Sequence, residues 1–461
     1  MPLCLSGNKK NHRVTETQSA QRKVRKMKKI FLLLIFCLIL PVSLTCANEI
    51  DEDALFSDVE TIDNTIVNNP QLKKLDIAGA AQSISKSLTG NISTITDVNL
   101  KRGFADNSVN YDDRNLYSLI KADFLFDVRL ENDIKAVLNA EIFYSPQNDS
   151  YLQTQKIAGQ DLSKYSNHYV INEFFVDANV NRRIYFRLGK QFLQWGRCYF
   201  WNPTDLINKE RRSFSDLDKT REGVYGLKTH IPFGAQKNIY AFIDMSNEDK
   251  TDNLAFALKY EFLIKDIEFA FSVWDKQNYN TSYGFDFSGR FLGLNTVGEL
   301  SYSKGDSKLK FDNSSLLTYK NCDKDNIRAA LGLNRYFNWE LNDRIFANFE
   351  LYYNQRGYTE NVFRPEFWQY SNLYEINNHS RYYASLFGSF DKFIWDNIKL
   401  NFNAIVNLND KSFILSPGLT YNPYYNFSVD FNLFSNFGKE NREYTLSGNA
   451  LTFELKTNLI F

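Results

Sequence analysis

The chain has 461 residues, 43% hydrophobic and 16% aromatic, and its 54 basic side chains are balanced by 54 acidic ones. Beyond residue 47 the balance is 45 basic to 53 acidic, a net charge of −8, which argues against a nucleic-acid partner, since that wants a basic surface. Beyond one N-terminal segment, no apolar run approaches the ~20 residues of a membrane-spanning helix, although Phe numbers 39 and Tyr 27.

Met27, Lys28 and Lys29 open a basic segment, and Ile30 to Leu40 is an unbroken apolar run of 11 residues. Small residues follow at Thr45, Cys46 and Ala47. This is the pattern of a secretory signal, too short to cross a bilayer as a helix. Residues 1–26 are polar and basic and no signal needs them, so the expected start is Met27, with 1–47 a non-mature leader and its signal at 27–47. Ser43, Leu44 and Thr45 fit a lipobox badly before Cys46. Cleavage after Ala47 leaves 414 residues with a net charge of −8 and two cysteines, Cys198 and Cys322, whose pairing stays open. Residues 48–90 are acidic and rich in Asn, Ser and Ala. They read as a periplasmic N-terminal extension or a simple leader to the first strand.

Alternation then dominates residues 91–461. Ala122, Phe124, Phe126, Val128 and Leu130 share one face, with Asp123, Asp127 and Arg129 on the other. Leu254, Phe256, Leu258, Tyr260 and Phe262 oppose Ala255, Ala257, Lys259 and Glu261. Period-2 patterning over such lengths suits a tilted membrane-crossing strand, half facing lipid and half facing a polar interior. The pattern predicts strands near 91–104, 115–130, 134–144, 169–180, 183–195, 222–231, 237–246, 253–263, 267–276, 281–289, 293–304, 326–337, 342–355, 380–391, 397–408, 411–421, 425–436 and 449–461. That is 18 strands, with 16 as the open alternative. The expected fold is all-β: a transmembrane, antiparallel, up-and-down β-barrel.

Loop lengths support the reading independently. Every second connection is short, among them Glu131 to Asp133, Asn181 with Arg182, and Ile264 to Asp266. The long connections, 145–168, 196–221, 305–325, 356–379 and 437–448, all fall at the opposite end. Short periplasmic turns and long extracellular loops are the asymmetry of outer-membrane barrels. A β-sandwich has no reason to sort its loops by parity.

The third long-end connection, 196–221, combines bulk with charge. Folded inward, it would narrow a pore with Arg197, Asp205, Lys209, Glu210, Arg211 and Arg212. The facing pore wall would present Glu173, Asp177, Arg187, Lys259 and Glu261. Opposed charges in a low-dielectric-walled pore orient and sort polar solutes. The alternative is a surface loop with solvated charges. Within and before the loop, Gly189, Trp195, Gly196, Asn202 and Pro203 read as shaping residues. Glycine tolerates close backbone approach, Asn-Pro favours a turn, and Trp195 suits an aromatic girdle at the outer interface.

Arg187, Leu188, Gly189, Lys190, Gln191, Trp195 and Gly196, followed by Asn202, Pro203 and Asp205, form the pattern R-L-G-[RK]-Q-x-x-x-W-G … N-P-x-D. It resembles the core of a largely uncharacterised family of porin-like bacterial outer-membrane β-barrels. The resemblance implies a channel-like barrel with no assigned catalytic residues. The last strand, LTFELKTNLIF, ends in Phe461 with Leu451, Phe453, Leu455 and Leu459 on its face. It resembles the closing strand through which such barrels meet the barrel-assembly machinery.

His168, His230 and His379 are scattered, and His379 with Ser380 is the one adjacent base and nucleophile. Strand neighbours point to opposite faces, so a hydrolase is the weakest reading. No cofactor, metal or nucleic acid is expected. The expected function is passive diffusion of small polar solutes across the bacterial outer membrane, with lipid and solute as partners and the oligomeric state open. The alternative is a barrel adhesin or surface receptor acting through its long loops.

Overall fold

The computed structural model describes residues 88–461 apart from 104–107, 131–132, 148–155, 158–159, 162–167, 208–213, 215–220, 247–253, 277–279, 307–309, 313–314, 319–321, 339–343 and 360–375. The leader (1–47) and nearly all of the extension (48–90) lie outside the described residues.

Eighteen strands form one antiparallel sheet. They are β1 (Leu88–Gly103), β2 (Ser108–Leu130), β3 (Ile134–Tyr144), β4 (Tyr169–Val180), β5 (Ile184–Gln191), β6 (Val224–Phe233), β7 (Lys237–Asp244), β8 (Ala255–Ile264), β9 (Ile267–Lys276), β10 (Ser282–Phe291), β11 (Leu294–Asp306), β12 (Cys322–Asn338), β13 (Arg344–Asn354), β14 (Tyr382–Phe390), β15 (Ile398–Asn407), β16 (Ser412–Tyr424), β17 (Phe427–Phe437) and β18 (Asn449–Ile460). Each strand pairs with its neighbours in sequence, and β1 pairs with β18 from Asn91 opposite Ile460 to Leu100 opposite Leu451. The ring therefore has no free edge, which is what a sheet needs where no water can satisfy its backbone. The choice between 16 and 18 strands falls to 18. The expected ranges hold to within a few residues at most ends. The exceptions are β2, which begins at Ser108 rather than 115, and β5, which stops at Gln191 rather than 195.

The two faces differ as the alternation requires. On β8, Phe256 is 45% exposed, whereas Ala255, Ala257 and Lys259 are buried. On β18, Phe453, Leu455 and Leu459 are exposed while Thr452 opposite them is buried. Exposed Leu116, Ile120, Phe174, Leu188, Phe271, Leu300, Leu331, Leu386 and Phe431 extend the outer apolar band around the ring. Monomeric water-soluble proteins rarely expose contiguous apolar surface beyond a few hundred Å².

Tight turns close one end. Asn181 and Arg182 both have φ 52°, and Leu292 and Gly293 have φ 50° and 77°. Positive φ at both central residues matches the right-handed twist of the flanking strands. The long connections sit at the other end, and short hairpins form within two of them, at 156–161 and 310–318.

The largest buried apolar cluster lies inside the ring. Tyr117, Leu119 and Phe143 from β2 and β3, and Tyr352, Tyr383, Phe387, Ile405, Ile414 and Phe434 from β13 to β17, meet Phe200, Trp201 and Phe214 of the β5–β6 connection.

Candidate functional site

The β5–β6 connection leaves the sheet at a built exit. Gly189 has φ +131°, and a side chain there would collide with the carbonyl of Phe174. Gln191 is fully buried and donates from Nε2 to the Gly226 carbonyl at 3.1 Å. The Phe192 N–H donates to Glu173 Oε1 at 3.0 Å. From there the chain turns into the barrel. Leu193, Trp195 and Ile207 pack on Val224, Phe242 and Ala257, residues on the inner faces of β6, β7 and β8. Trp195 is thus buried against the inner wall, not set in an outer aromatic girdle. The sequence expectation failed because it carried β5 four residues too far and left Trp195 in the sheet.

The next turn needs Gly196, where a Cβ would sit 2.5 Å from that of Asn202. Asn202 donates from Nδ2 to the Cys198 carbonyl at 2.6 Å, and the Asp205 N–H returns to the Asn202 carbonyl at 3.1 Å. Gly189, Gly196 and Asn202 therefore shape the backbone, while Pro203 sits buried in the turn that follows Asn202.

Two buried carboxylates hold this turn against the wall. Glu299 of β11 accepts N–H bonds from Arg197 and Cys198 at 2.6 Å and from Thr204 at 3.1 Å, and the Thr204 hydroxyl at 2.7 Å. Glu350 of β13 accepts the N–H groups of Tyr199, Phe200 and Trp201, the last at 3.2 Å. Successive N–H groups converging on one oxygen-rich group form an anion-binding concavity, and charge-assisted bonds of this kind are roughly twice as strong as neutral ones. Neither glutamate was singled out from the sequence. The available signal was a lone acid at an inward position of a strand, in Val297 to Leu300 and Phe349 to Leu351.

Aromatic rings complete the anchor. The Trp201 indole lies parallel to Tyr352 at 5.4 Å and donates from Nε1 to the Asn377 carbonyl at 2.8 Å. Tyr199 packs on Phe346 and Phe387, and Phe214 on Phe387 and Phe434. Cys198 is free and buried, and burial, reinforced by Glu299, pushes its thiol well above its ordinary pKa.

The charged groups divide into three arrangements. Arg197 bonds Asp286, Glu268 and Glu261, the last at 3.3 Å. Lys259 joins the same group, 3.1 Å from Glu261 and 3.3 Å from Asp286, and donates to the Trp195 carbonyl at 2.7 Å. Burial alone would lower the Arg197 pKa, but Asp286 and the neighbouring acids hold it above the ordinary value. Asp205 instead pairs with Arg221 at 3.4 Å, both buried, and Arg221 lies over the Phe192 ring, so Arg221 ties the loop's end to its middle and to its start. Asp177 and Arg187 pair with each other across β4 and β5 at 2.6 and 2.8 Å, with Arg187 over Phe175. Of the six proposed constriction residues, Lys209, Glu210, Arg211 and Arg212 lie outside the described residues.

A second polar lock joins three long-end connections. Glu443, wholly buried, accepts the Asn377 N–H at 2.8 Å, the Tyr383 hydroxyl at 2.8 Å and Asn407 Nδ2 at 2.6 Å. The Glu443 N–H donates to Asp410 Oδ2 at 2.8 Å, and the Tyr444 hydroxyl donates to Asn377 Oδ1 at 2.5 Å. Burial, followed by the nearby Asp410, pushes the Glu443 pKa up to about 8. Through Asn377 and Trp201 this lock touches the inward loop. Ser380 Oγ accepts Asn407 Nδ2 at 2.7 Å, and His379 stacks on Tyr358, so each member of the adjacent pair has its own structural role.

No family model and no curated protein matches this chain. Among solved structures it is similar to OccK8 (OprE) of Pseudomonas aeruginosa, at 8% identity over 82% of this chain and 98% of that one, with a TM-score of 0.49. It is also similar to OccAB3 of Acinetobacter baumannii, at 12% identity over 81% and 99%, with a TM-score of 0.46. An engineered mutant of the Rh. blastica porin aligns at 10% identity over 81% and 100%, with a TM-score of 0.40.

Proposed function

We propose that the chain is a bacterial outer-membrane channel for passive diffusion of small polar solutes, narrowed by its β5–β6 connection. The observation that carries this is the closed ring of 18 strands, apolar outside and holding charged and polar groups beside a buried aromatic cluster inside, with a loop drawn inward and pinned by Glu299 and Glu350. Barrels of 16 to 18 strands leave an aqueous path. The opposed groups Arg197 and Lys259 against Glu261, Glu268 and Asp286 set a transverse field where the loop meets the wall. The reading needs no catalytic group and no cofactor, and its partners are lipid outside and solute inside.

Planar-bilayer recording of the refolded chain tests it. Stepwise openings are expected, and deleting 197–212 should enlarge them. An intact barrel that produces no steps would overturn the channel reading. Steps unchanged by the deletion would remove the loop as the constriction.

A further inference from the structure

On the short-turn side of Glu350 the inner wall changes character. Sheet register sets two rows of inward side chains across β12 to β15. Nearer the loop stand Asn334, Asn348, Phe387 and Asn403. The next row is Tyr336, Phe346, Ser389 and Asn401. None of these is a carboxylate, an ammonium or a guanidinium, whereas Arg197 and Lys259 meet their acids on another arc of the ring, β8 to β10.

Aromatic rings run down this uncharged wall from the loop. Tyr199 packs on Phe387 at 5.2 Å and on Phe346 at 5.8 Å, and Phe346 packs on Tyr336 at 4.9 Å. Successive rings are tilted by 38–56°, so they do not cover one another's faces as a parallel stack would. Tyr336 stands on the inner face of β12 and is nevertheless 58% exposed. Its hydroxyl has no hydrogen-bond partner among the described residues, and neither have the side chains of Ser389 and Asn403, both half-buried.

Rings and uncommitted amides together select a kind of solute. A ring face is negative and attracts C–H edges, and an amide both donates and accepts. Small-molecule sites are of this mixed make, apolar surface with a few placed polar groups. A sugar ring supplies the complement: a C–H face, a rim of hydroxyls and no charge. We propose that this wall is a track for neutral sugars, with the sugar face set on Tyr336 and Phe346 and its hydroxyls meeting Ser389, Asn401 and Asn403. The track names the solute class of the channel reading and rests on that reading for transport, while binding requires only the wall.

The test is equilibrium binding of maltotriose, sorbitol and indole to the refolded full chain. Maltotriose should bind about tenfold or more tighter than sorbitol, which carries hydroxyls without a ring face. Tyr336→Leu should weaken maltotriose binding about fivefold, and Tyr336→Phe, which keeps the ring, should hold it within about twofold. Asn403→Leu should also weaken it about fivefold. Folding is checked by heat-modifiable gel mobility, and should Asn403→Leu not fold, the two Tyr336 variants carry the test. Equal binding of maltotriose and sorbitol, tighter binding of indole than of maltotriose, or unchanged affinity in Tyr336→Leu would overturn the track. Ion conductance without maltotriose binding defeats the track alone. Maltotriose binding that Tyr336→Leu weakens, in a barrel that conducts no ions, supports the track and defeats the channel reading.

Discussion

Glu350 accepts the backbone N–H of Trp201 while the Trp201 indole lies flat on Tyr352, two positions along the same strand. One turn of the loop is thereby held by charge and by ring contact on a single strand, β13. The lumen wall and the loop are one packed unit at this point.

Glu350→Ala leaves three N–H groups without this acceptor, and the two buried ones, of Phe200 and Trp201, each cost about 1–3 kcal/mol. The barrel should persist, because the strand ladder is untouched, while the loop loosens. Single-channel recording should show larger and noisier openings than the unaltered chain. Identical traces would mean that Glu299 and the ring contacts hold the loop alone.

Cys198 reports the same event chemically. Its thiol is buried and held protonated, and the thiolate is the reactive form. In a Cys322→Ser background, maleimide should label Cys198 slowly, and Glu350→Ala should raise the rate by about tenfold or more as exposure increases. Rapid labelling before any loop mutation would contradict the packed arrangement.

Arg197→Gln removes a cation bonded to Glu261, Glu268 and Asp286. The constriction becomes more negative, and cation permeability relative to anions should rise about twofold or more. Reversal potential across a KCl gradient measures it. A shift toward anions would place the conducting path elsewhere.

The Glu443 lock should respond to pH. Its carboxyl keeps its proton up to about pH 8 when folded, against an ordinary value of 4.5. The folded state therefore binds the extra proton between those values, so the stabilisation is complete below about 4.5 and lost as pH rises through 8. The groups facing it are Asp410, Tyr383, Asn407 and Asn377. Protease nicking of the 437–448 connection should rise as pH increases from about 4.5 to 8 and level off above it, and Glu443→Gln should flatten the profile. A profile that steepens in the opposite direction sinks the assignment.

Ring closure depends on the chain end. Phe461 exchanges two backbone hydrogen bonds with Gly90, at 2.9 and 3.0 Å, and its ring leaves no room for a larger residue there, since a Cβ on Gly90 would sit 2.7 Å away. Gly90→Val, or removal of Phe461, should reduce the yield of heat-modifiable barrel several-fold, at about 0.5–1.5 kcal/mol for each lost bond plus the steric conflict. Normal yield from both variants would show that closure is set higher up β1 and β18.

Strand order and facing were legible in the sequence, and strand number to within the choice of 16 or 18. Phe453, Leu455 and Leu459 against Thr452, Glu454 and Lys456 already state which side of β18 meets hydrocarbon, because a period of two has only two registers. Loop parity supplied the ends of the barrel. Gly189, Gly196 and Asn202 were recognisable as shaping residues, since backbone demands are local. What remained hidden were pairings between residues far apart in the chain. Trp195 looked like a girdle aromatic until β5 was seen to end at Gln191, and Asp205 looked like a pore charge until Arg221 was found beside it. Glu299 and Glu350 meet the loop from about 100 and 150 positions away. Alternation in a strand depends on neighbours in sequence and is written there. Which inward carboxylate receives which loop N–H depends on how the closed ring brings distant strands around one lumen, and only the tertiary structure settles that.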